Sequence, residues 1–251
     1  MVRRQLSMSA SAVAGSIILS LMALHIAVFI QSLATSLMLL PCAYAGAMSS
    51  VEPSVQTASE YSSIAQRYID LFGAIEQAEK EDRELIATWA EGVRGPVLDA
   101  GCGPGQWTQF ISGPQRPATG VDMVPEFLAH AAKSYSECTF QQGDLSNLSF
   151  SDNHFAGLLA WYSVIHTPPE QLPSIFSEFA RVLNPGGQLL MGFFAGDKVQ
   201  PFAHKVAPAW YLPPRFLVGL LENAGFELLD SQTRSRPTAR LHGHVVAQLK
   251  S

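Results

Sequence analysis

Short apolar runs alternate with amphipathic segments along the chain from about residue 97 onward. Five of these runs, bounded by turn-forming residues, predict β-strands at 97–99, 118–122, 138–142, 155–161 and 188–194. Segments between them carry apolar residues at helical spacing, which is typical of amphipathic helices. Because strands and helices alternate, the pattern predicts parallel strands joined by right-handed crossovers in one α/β sheet.

The helix after the fourth strand has the clearest apolar stripe. Its apolar positions are Leu172, Ile175, Phe176, Phe179, Val182 and Leu183. Thr167 is predicted to be the N-cap, with Glu170 completing a capping box three residues later. The turn at 184–187 ends this helix, and the following strand alternates so little that we expect it to be buried on both faces.

The C-terminal part predicts one more helix and two more strands. Pro213 and Pro214 precede the helix, and Gly225 is predicted to end it. Strands are predicted at 226–230 and 245–249. Between the fifth strand and this helix lies an insertion at about 195–212 that is rich in aromatic residues.

A glycine-rich turn follows the first strand. Asp99 precedes glycines at positions 101, 103 and 105, and the residues after Gly105 can begin a helix. Glycine allows positive φ angles and close approach of the backbone to a ligand, as in nucleotide-binding loops. The third glycine arrives one residue too early for the Gly-x-Gly-x-x-Gly fingerprint, which disfavours NAD.

The Asp99-x-Gly101-x-Gly103-x-Gly105 motif resembles the first motif of class I S-adenosylmethionine-dependent methyltransferases. The resemblance extends over most of the chain after residue 60. It implies a doubly wound, Rossmann-like, seven-stranded and mostly parallel sheet with helices on both faces. It also implies that S-adenosylmethionine is the cofactor and that this loop, including Cys102, surrounds it.

Residues after the next strands complete the expected cofactor site. Asp122, about 20 residues after the glycine loop, is placed to accept both ribose hydroxyls, and Met123 to lie against adenine. The resemblance implies that Asp144 accepts from the adenine amino group and that the Leu145 amide meets the ring. Asp144 alone is explained equally well as a turn residue that bonds its own backbone. Trp161, at the end of the fourth strand, is also assigned to the cofactor.

In this family the end of the fourth strand lies beside the transferable methyl group. Tyr162, Ser163 and His166 are therefore candidates for substrate contacts, and Tyr162 and His166 for catalysis. His166 titrates near neutrality and could remove a proton from a substrate hydroxyl or amine. The alternative is that His166 is only a structural hydrogen-bond donor before the next helix.

Aromatic residues of the insertion are the next candidates. His204, Trp210 and Tyr211 are predicted to roof the substrate site, because an insertion at this point usually does so in the fold. The alternative is a surface loop whose aromatic residues pack on the sheet edge.

Two tyrosines upstream of the glycine loop are candidates for the methionine end of the cofactor. Tyr61 and Tyr68 lie in a predicted helix at 60–68, which resembles the helix that many small-molecule methyltransferases fold over the cofactor. Residues seven apart share one helix face, so ordinary packing explains them equally well.

The charge balance narrows the class of substrate. The 251 residues carry 16 Lys and Arg against 21 Asp and Glu, a formal net charge of −5. This balance lacks the basic footprint that nucleic acid requires, so we expect a small-molecule substrate. Cys42, Cys102 and Cys138 are widely separated and predict neither a metal site nor a disulfide framework.

The first 47 residues differ in character from the rest. Arg3 and Arg4 are their only charges, and Ser9–Leu40 is mostly apolar and long enough to span a bilayer. Ala43–Ala45 resembles a signal-peptide cleavage site. An anchor or a signal would place the domain outside the cell, where S-adenosylmethionine is not expected. The alternative is a start at Met48 and a cytoplasmic protein, with membrane association only if residues 1–47 are retained.

These observations predict three segments and one principal activity. Residues 1–47 are an apolar segment, 48–95 a helical cap, and 96–251 the cofactor-binding domain. The predicted reaction is direct displacement, in which an O, N or C nucleophile of a small molecule takes the methyl group. The alternative is a methyltransferase-like binding protein or partner subunit without turnover, and a nicotinamide oxidoreductase is more remote.

Mass spectrometry of the native N-terminus tests the start site. We expect Met48 or Ser49 as the first residue, because an arginine-led apolar segment conflicts with an intracellular cofactor. A peptide from residues 5–40 in the mature protein would contradict this start and favour a membrane anchor.

Overall fold

A computed structural model describes residues 53–235 and 240–251. The predictions for residues 1–47, for a start at Met48 and for Cys42 lie outside these ranges. Within the described ranges, no helix combines the length and the apolar content needed to cross a membrane.

The described residues form seven α-helices and nine β-strands. The helices are α1 (Pro53–Ser63), α2 (Ala65–Phe72), α3 (Lys80–Gly92), α4 (Gln106–Ile111), α5 (Pro125–Ser134), α6 (Leu172–Val182) and α7 (Pro214–Asn223). The strands are β1 (Val97–Ala100), β2 (Ala118–Asp122), β3 (Thr139–Gln142), β4 (Phe155–Trp161), β5 (Leu183–Phe194), β6 (Gln200–Phe202), β7 (Ala209–Tyr211), β8 (Phe226–Arg234) and β9 (His242–Leu249). All seven strands that the sequence predicts are present, and β5, β8 and β9 are longer than predicted.

Seven strands form one sheet in the order β3-β2-β1-β4-β5-β9-β8. Neighbours from β3 to β5 pair in parallel, and β9 is antiparallel to both β5 and β8. The predicted mostly parallel, doubly wound sheet is confirmed. The chain changes direction of winding between β1 and β4, and in such sheets a ligand crevice opens at that point, outside the carboxyl ends of the strands.

Helices cover both faces of the sheet because neighbouring residues of a strand point to opposite sides. Leu158 faces a core shared with α6 and α7, whereas Leu159 faces a core shared with α3 and α4. The whole apolar stripe predicted for α6 is buried, and so are residues 189–193 of β5. Burying each large apolar side chain of these layers stabilises the fold by about 1.5–3 kcal/mol.

The N-terminal helices α1 and α2 pack on α5 through a small core that includes Tyr61, Tyr68 and Phe127. The single helix predicted at 60–68 is wrong, because Ile64 leaves the helical conformation with φ −121° and ψ 13°. The Ser63 hydroxyl donates to the backbone carbonyl three residues earlier, a local bond that competes with helix continuation.

Helix α6 begins later than the sequence predicts. Thr167 is not its N-cap; Leu172 is the first helical residue, and Gln171 before it makes no side-chain capping bond. Pro169 disfavours helical backbone at Pro168, and the Gln171 N–H donates to the Pro168 carbonyl at 2.8 Å in a turn before the helix. The same segment contacts the insertion, since the Trp210 N–H donates to the Ile165 carbonyl at 2.9 Å.

The segment 195–212 contains the strands β6 and β7, which pair in antiparallel. Its ends meet, because Ala195 bridges Leu212 and the Leu212 N–H donates to the Phe194 carbonyl at 2.9 Å. The segment therefore stands at the carboxyl end of β5, next to the end of β4.

Candidate active site

The glycine loop connects β1 to α4 and is anchored on β2. The Gly101 and Cys102 N–H groups both donate to the Val121 carbonyl, at 2.8 and 2.9 Å. The Cys102 side chain is buried, and its Sγ would lie 2.8 Å from a Cβ placed on Gly120 of β2. Cys102 therefore packs on the sheet with its side chain, and only its backbone is left to face a ligand.

All three glycines of the loop have left-handed backbone, and Gly103 and Gly105 have it for different reasons. Gly103 has φ +53° and Gly105 has φ +91°. A Cβ at Gly105 would lie 2.7 Å from the Cβ of Ala131 on α5, whereas one at Gly103 would meet nothing within 4 Å. Gly105 lets the loop pack closely on α5, and Gly103 borders open space in the crevice.

Asp122 lies at the end of β2 and holds the loop. Its Oδ2 accepts from the Gly103 N–H at 2.8 Å and its Oδ1 from the Val124 N–H at 2.9 Å. Burial raises the pKa of Asp122, and these backbone bonds oppose the rise. Each carboxylate oxygen can accept a second hydrogen bond, so Asp122 can also accept from ligand hydroxyls.

Asp99 is 2% exposed and accepts from the Thr108 hydroxyl at 2.7 Å. Burial raises the pKa of Asp99 to about 7; the Thr108 bond opposes this, and the Asp122 charge adds to it. Among the ion pairs of the described residues, none includes Asp99 or Asp122. A buried and a half-buried carboxyl group without a paired cationic side chain favour a ligand that carries positive charge.

Two buried polar atoms beside the loop have no hydrogen-bond partner. They are Oε1 of Gln106, the first residue of α4, and Oγ of Ser163, which follows β4. Ser163 contacts the loop directly, because a Cβ placed on Gly101 would lie 2.3 Å from the Ser163 Cβ. Buried acceptors left unpaired are costly, and a polar ligand in the crevice would satisfy them.

The residues predicted to contact adenine follow β2 and β3. Oδ1 of Asp144 accepts from both the N–H and the hydroxyl of Ser146, each at 2.8 Å, so the turn bond of the alternative interpretation is present. Leu145 is partly buried against the core shared with α6 and α7. The Met123 carbonyl accepts from the Gln142 side-chain amide at 3.1 Å. A contact of these residues with adenine stays a prediction.

Trp161 is the last residue of β4 and Tyr162 follows it, and the two side chains lie in different surroundings. The Trp161 ring covers Gly192, where a Cβ would come within 2.8 Å, and packs in the core of α3 and α4. Tyr162 has φ +56°, which is rare for a residue with a side chain, and its hydroxyl bonds Nδ1 of His242. Backbone strain of this kind concentrates at functional sites.

His166 joins three distant segments. Its Nδ1 lies 2.8 Å from the Pro208 carbonyl oxygen and its Nε2 lies 2.9 Å from the Tyr61 hydroxyl. Because a carbonyl only accepts, Nδ1 carries the proton and Nε2 accepts from Tyr61. Burial lowers the pKa of His166, although backbone bonds to Pro208 and Ala207 oppose this, so the imidazole is neutral at pH 7.

Tyr61 and Tyr68 are close together although they belong to different helices. Their ring centroids are 5.5 Å apart, and the Tyr68 ring lies 5.2 Å from that of Phe127. Burial raises the pKa of Tyr61 above its ordinary value and that of Tyr68 to about 12. Tyr61 is therefore protonated and donates to His166.

His204 of the insertion lies next to His166, with ring centroids 5.2 Å apart. Its Nδ1 is buried and has no hydrogen-bond partner. Burial first, and then His166, Arg240 and Lys205, lower the pKa of His204 to about 4. His204 is neutral at pH 7 and sits in surroundings that oppose positive charge.

Trp210 and Tyr211 occupy different environments. Trp210 packs partly buried against the core shared with α6 and α7, and its contact with a substrate stays a prediction. Tyr211 stacks on Phe202 with centroids 4.2 Å apart and 29° between the rings.

Sequence reasoning did not select Gln106, Phe194, Arg240 or His242. Gln106 directly follows the glycine loop and Phe194 ends a predicted strand, so position alone could have indicated both. His242 begins β9 and Arg240 lies two residues before it, and this strand reaches the region only because it pairs with β5. No local pattern indicates that placement.

Comparisons with known proteins concern mainly the central part of the chain. Residues 97–187 match a family model described as a methyltransferase domain. The malonyl-acyl-carrier-protein O-methyltransferase of Erwinia billingiae is 33% identical over 128 residues, which cover 51% of this chain and 49% of that protein. The chain thus matches about half the length of this relative.

Solved structures resemble a larger share of the chain. The 1,6-didemethyltoxoflavin-N1-methyltransferase of Burkholderia thailandensis, crystallised with 1,6-didemethyltoxoflavin and S-adenosylhomocysteine, has a TM-score of 0.67 and 22% identity. The aligned region covers 82% of this chain and 94% of the Burkholderia thailandensis enzyme. The cyclase SpnF has a TM-score of 0.68 and 18% identity, with 78% and 97% covered. At these identities the likeness shows the fold.

Alanine substitution should separate the two roles of the loop glycines. Both Gly103→Ala and Gly105→Ala place a side chain at positive φ, which costs roughly 1–2 kcal/mol. Gly105→Ala should lower the free energy of unfolding by about 1–3 kcal/mol more, because its Cβ meets Ala131. Urea denaturation measures both values, and equal losses would contradict the close packing of Gly105 on α5.

Proposed function

We propose that this chain, whose residues 97–187 form a methyltransferase domain, transfers a methyl group from S-adenosylmethionine to a small molecule. The observation that carries the proposal is the pair of carboxyl groups at the glycine loop, buried Asp99 and half-buried Asp122, with Asp122 bonded to Gly103 where the loop borders open space. That arrangement suits a ligand with positive charge and hydroxyl groups.

The crevice fits S-adenosylmethionine group by group. Its sulfonium and amino groups are positively charged, as the two carboxyl groups favour, and its ribose hydroxyls can donate to Asp122. Its amino-acid end can satisfy Oε1 of Gln106 and Oγ of Ser163. NAD would instead bring a negatively charged pyrophosphate to the same loop, where the carboxyl groups repel it. When bound, S-adenosylmethionine supplies an activated methyl group.

The adenine and methionine ends have their own residues in this proposal. Asp144, Leu145 and Met123 line the adenine end after β2 and β3, consistent with their position on the loops next to Asp122. Tyr61 and Tyr68 close over the methionine end, supported by the bond from Tyr61 to His166.

His166 and Tyr61 take up the proton that the methyl acceptor loses. The Tyr61 oxygen donates its proton toward Nε2 of His166 and keeps lone pairs that can accept from a substrate O–H or N–H. The substrate proton moves to the Tyr61 oxygen as the Tyr61 proton moves to Nε2. The Pro208 carbonyl, which accepts from Nδ1–H, then stabilises the imidazolium.

The substrate is a small molecule rather than nucleic acid, because the chain is acidic, with a formal net charge of −5. Malonyl-acyl-carrier protein and 1,6-didemethyltoxoflavin, the acceptors that two similar proteins are named for, differ widely and do not indicate which acceptor this chain uses. A cytoplasmic location goes with this function, since S-adenosylmethionine is expected inside the cell.

Calorimetry with S-adenosylmethionine, S-adenosylhomocysteine and NAD tests the cofactor. We expect the first two to bind and NAD not to bind. Asp122→Ala should weaken binding roughly 5- to 150-fold through the loss of two ribose hydrogen bonds of about 0.5–1.5 kcal/mol each, and further because the Gly103 N–H loses its acceptor. Asp122→Asn, which keeps one carbonyl acceptor, should weaken it less. Binding of NAD in place of the other two would contradict the proposal.

Methyl transfer itself must be measured, because one protein of the same fold is a cyclase. Incubation of the protein with labelled S-adenosylmethionine and the small molecules extracted from cells should give a labelled product. Absence of any labelled product, with the cofactor still bound, would favour the non-catalytic alternative.

Two His166 variants separate proton transfer from structural support. His166→Gln can still donate to Pro208 and accept from Tyr61, but it cannot take up a proton. We expect turnover to fall roughly 10²- to 10⁴-fold in both His166→Gln and His166→Ala, with cofactor affinity nearly unchanged. Near-normal turnover of His166→Gln would assign His166 a structural role.

The pH profile gives an independent measure of the same residue. His166 must be neutral to accept a proton, and burial lowers its pKa, so turnover should be lost only as the pH falls below the ordinary histidine value of about 6.5. The rate measured from pH 5 to 9 should show this acid limb in the parent and lack it in His166→Gln. A limb centred above pH 7 would contradict the assignment.

A further inference from the structure

A shelf of aromatic rings lies at the carboxyl end of β5, beside the predicted substrate position. Phe194 ends β5, Phe202 belongs to β6 and Tyr211 to β7. The Phe194 and Phe202 centroids are 5.3 Å apart, and Phe202 stacks on Tyr211 at 4.2 Å. We call Phe194, Phe202 and Tyr211 the aromatic shelf. The Phe194 and Phe202 rings are perpendicular, at 89°, so these half-buried rings offer apolar surface to a ligand rather than one flat face.

Arg240 lies over the shelf. Its guanidinium carbon is 4.6 Å from the Phe202 ring centroid and 5.8 Å from that of Phe194. The residue is exposed, and its one hydrogen bond within the described part of the chain goes to the Ala203 carbonyl at 3.3 Å. No carboxylate of residues 53–235 or 240–251 lies within ion-pair distance of it. The rings hold the cation in place and leave most of its donors to a ligand.

His204 connects the shelf to the proposed proton acceptor. Its ring centroid lies 6.0 Å from Phe194, 6.2 Å from Phe202 and 5.2 Å from His166. Its buried Nδ1 has no partner, so one polar atom between Arg240 and His166 is available to a ligand. A molecule lying along the shelf would therefore have one end at Arg240 and the other at His166.

The electrostatic character of this end of the crevice is positive. Arg240 and Lys205 are among the groups that lower the pKa of His204. The glycine loop, by contrast, holds the unpaired carboxyl groups of Asp99 and Asp122. A negatively charged ligand group is thus favoured at Arg240 and disfavoured at the loop.

We propose that Arg240 and the aromatic shelf form the recognition subsite for the methyl acceptor, and that this acceptor is an apolar molecule that carries an oxyanion. The oxyanion, a carboxylate or a phosphate, pairs with the planar fork of the guanidinium, and the atom to be methylated points to His166. The role as acceptor subsite rests on the proposed methyltransferase function, whereas oxyanion binding by Arg240 is testable by itself.

Matched acid and amide pairs test the subsite by calorimetry. The probes are 3,4-dihydroxybenzoate and 4-hydroxycinnamate with their primary amides, and phenyl phosphate with phenol, each titrated with and without S-adenosylhomocysteine. We expect at least one acid to bind 10-fold or more tightly than its neutral partner. The stronger preference, for the carboxylates or for phenyl phosphate, assigns the oxyanion.

Variants connect that preference to Arg240. Arg240→Met keeps a long apolar stem over the rings and should abolish the preference, whereas Arg240→Lys should keep part of it. Arg94→Met removes an exposed arginine just before the amino-terminal end of β1, whereas Arg240 lies near the carboxyl end of β5. This control variant should change nothing. Affinity for S-adenosylhomocysteine should stay the same in all three variants.

The outcomes separate the two proposals. Equal affinity of acids and amides, binding of no acid at all, or a preference that survives Arg240→Met would each overturn the subsite. Failure of S-adenosylhomocysteine to bind would contradict the proposed function, while the acid and amide titrations without it would still decide whether Arg240 binds an oxyanion.

Discussion

The hydrogen bond from the Gly103 N–H to the Asp122 carboxylate is the contact on which the crevice depends. It ties the loop after β1 to the end of β2, and the parallel pairing of the two strands places those ends side by side. Left-handed backbone at Gly103 turns the loop so that its open side borders the crevice. Burial of the Asp122 carboxylate is tolerable because two backbone N–H groups satisfy it. The order of the strands, the conformation of the glycine loop and the position of the Asp122 carboxylate therefore depend on one another.

The crevice that results has two ends of opposite electrostatic character. Asp99 and Asp122 make the glycine-loop end favourable for positive charge, and Arg240 with Lys205 makes the insertion end favourable for negative charge. His166, neutral and bonded to the neutral Tyr61 hydroxyl, stands next to the positive end. Such a division lets a cationic cofactor and an anionic acceptor occupy separate places, each repelled from the other's position.

In the proposed mechanism, proton transfer and the closing of the crevice by its covering segments depend on the same two hydrogen bonds of His166. The residue itself follows β4, Tyr61 comes from α1, and Pro208 comes from the insertion. Each segment that covers the crevice is therefore held at one imidazole, and the orientation of that ring requires both partners. A proton-accepting role fits this arrangement because the bond to Pro208 fixes the tautomer that leaves Nε2 unprotonated.

Sequence patterns alone determined the elements whose cause is local. The strands, the apolar stripe of α6, the end of α7 at Gly225 and the glycine loop all follow from spacing of apolar residues and from backbone requirements. Tertiary contacts decided the rest. Thr167 has the sequence of an N-cap, yet α6 begins at Leu172, and the segment before it bonds the insertion through Ile165 and Trp210. Tyr61 and Tyr68 have helical spacing, yet Ile64 breaks the helix, and the two rings contact each other and Phe127.

The candidate site divides in the same way, for the same reason. Asp99 and Asp122 can be found from the sequence, because they stand at fixed distances from strand ends and glycines. The pairing of His166 with Tyr61, 105 residues earlier, and the position of Arg240 over Phe202 cannot. They depend on the packing of α1 on α5 and on the antiparallel pairing of β9 with β5, and neither follows from a local pattern. Local chemistry determined which loop is suited to a ligand, and only the tertiary structure decided which distant side chains face it.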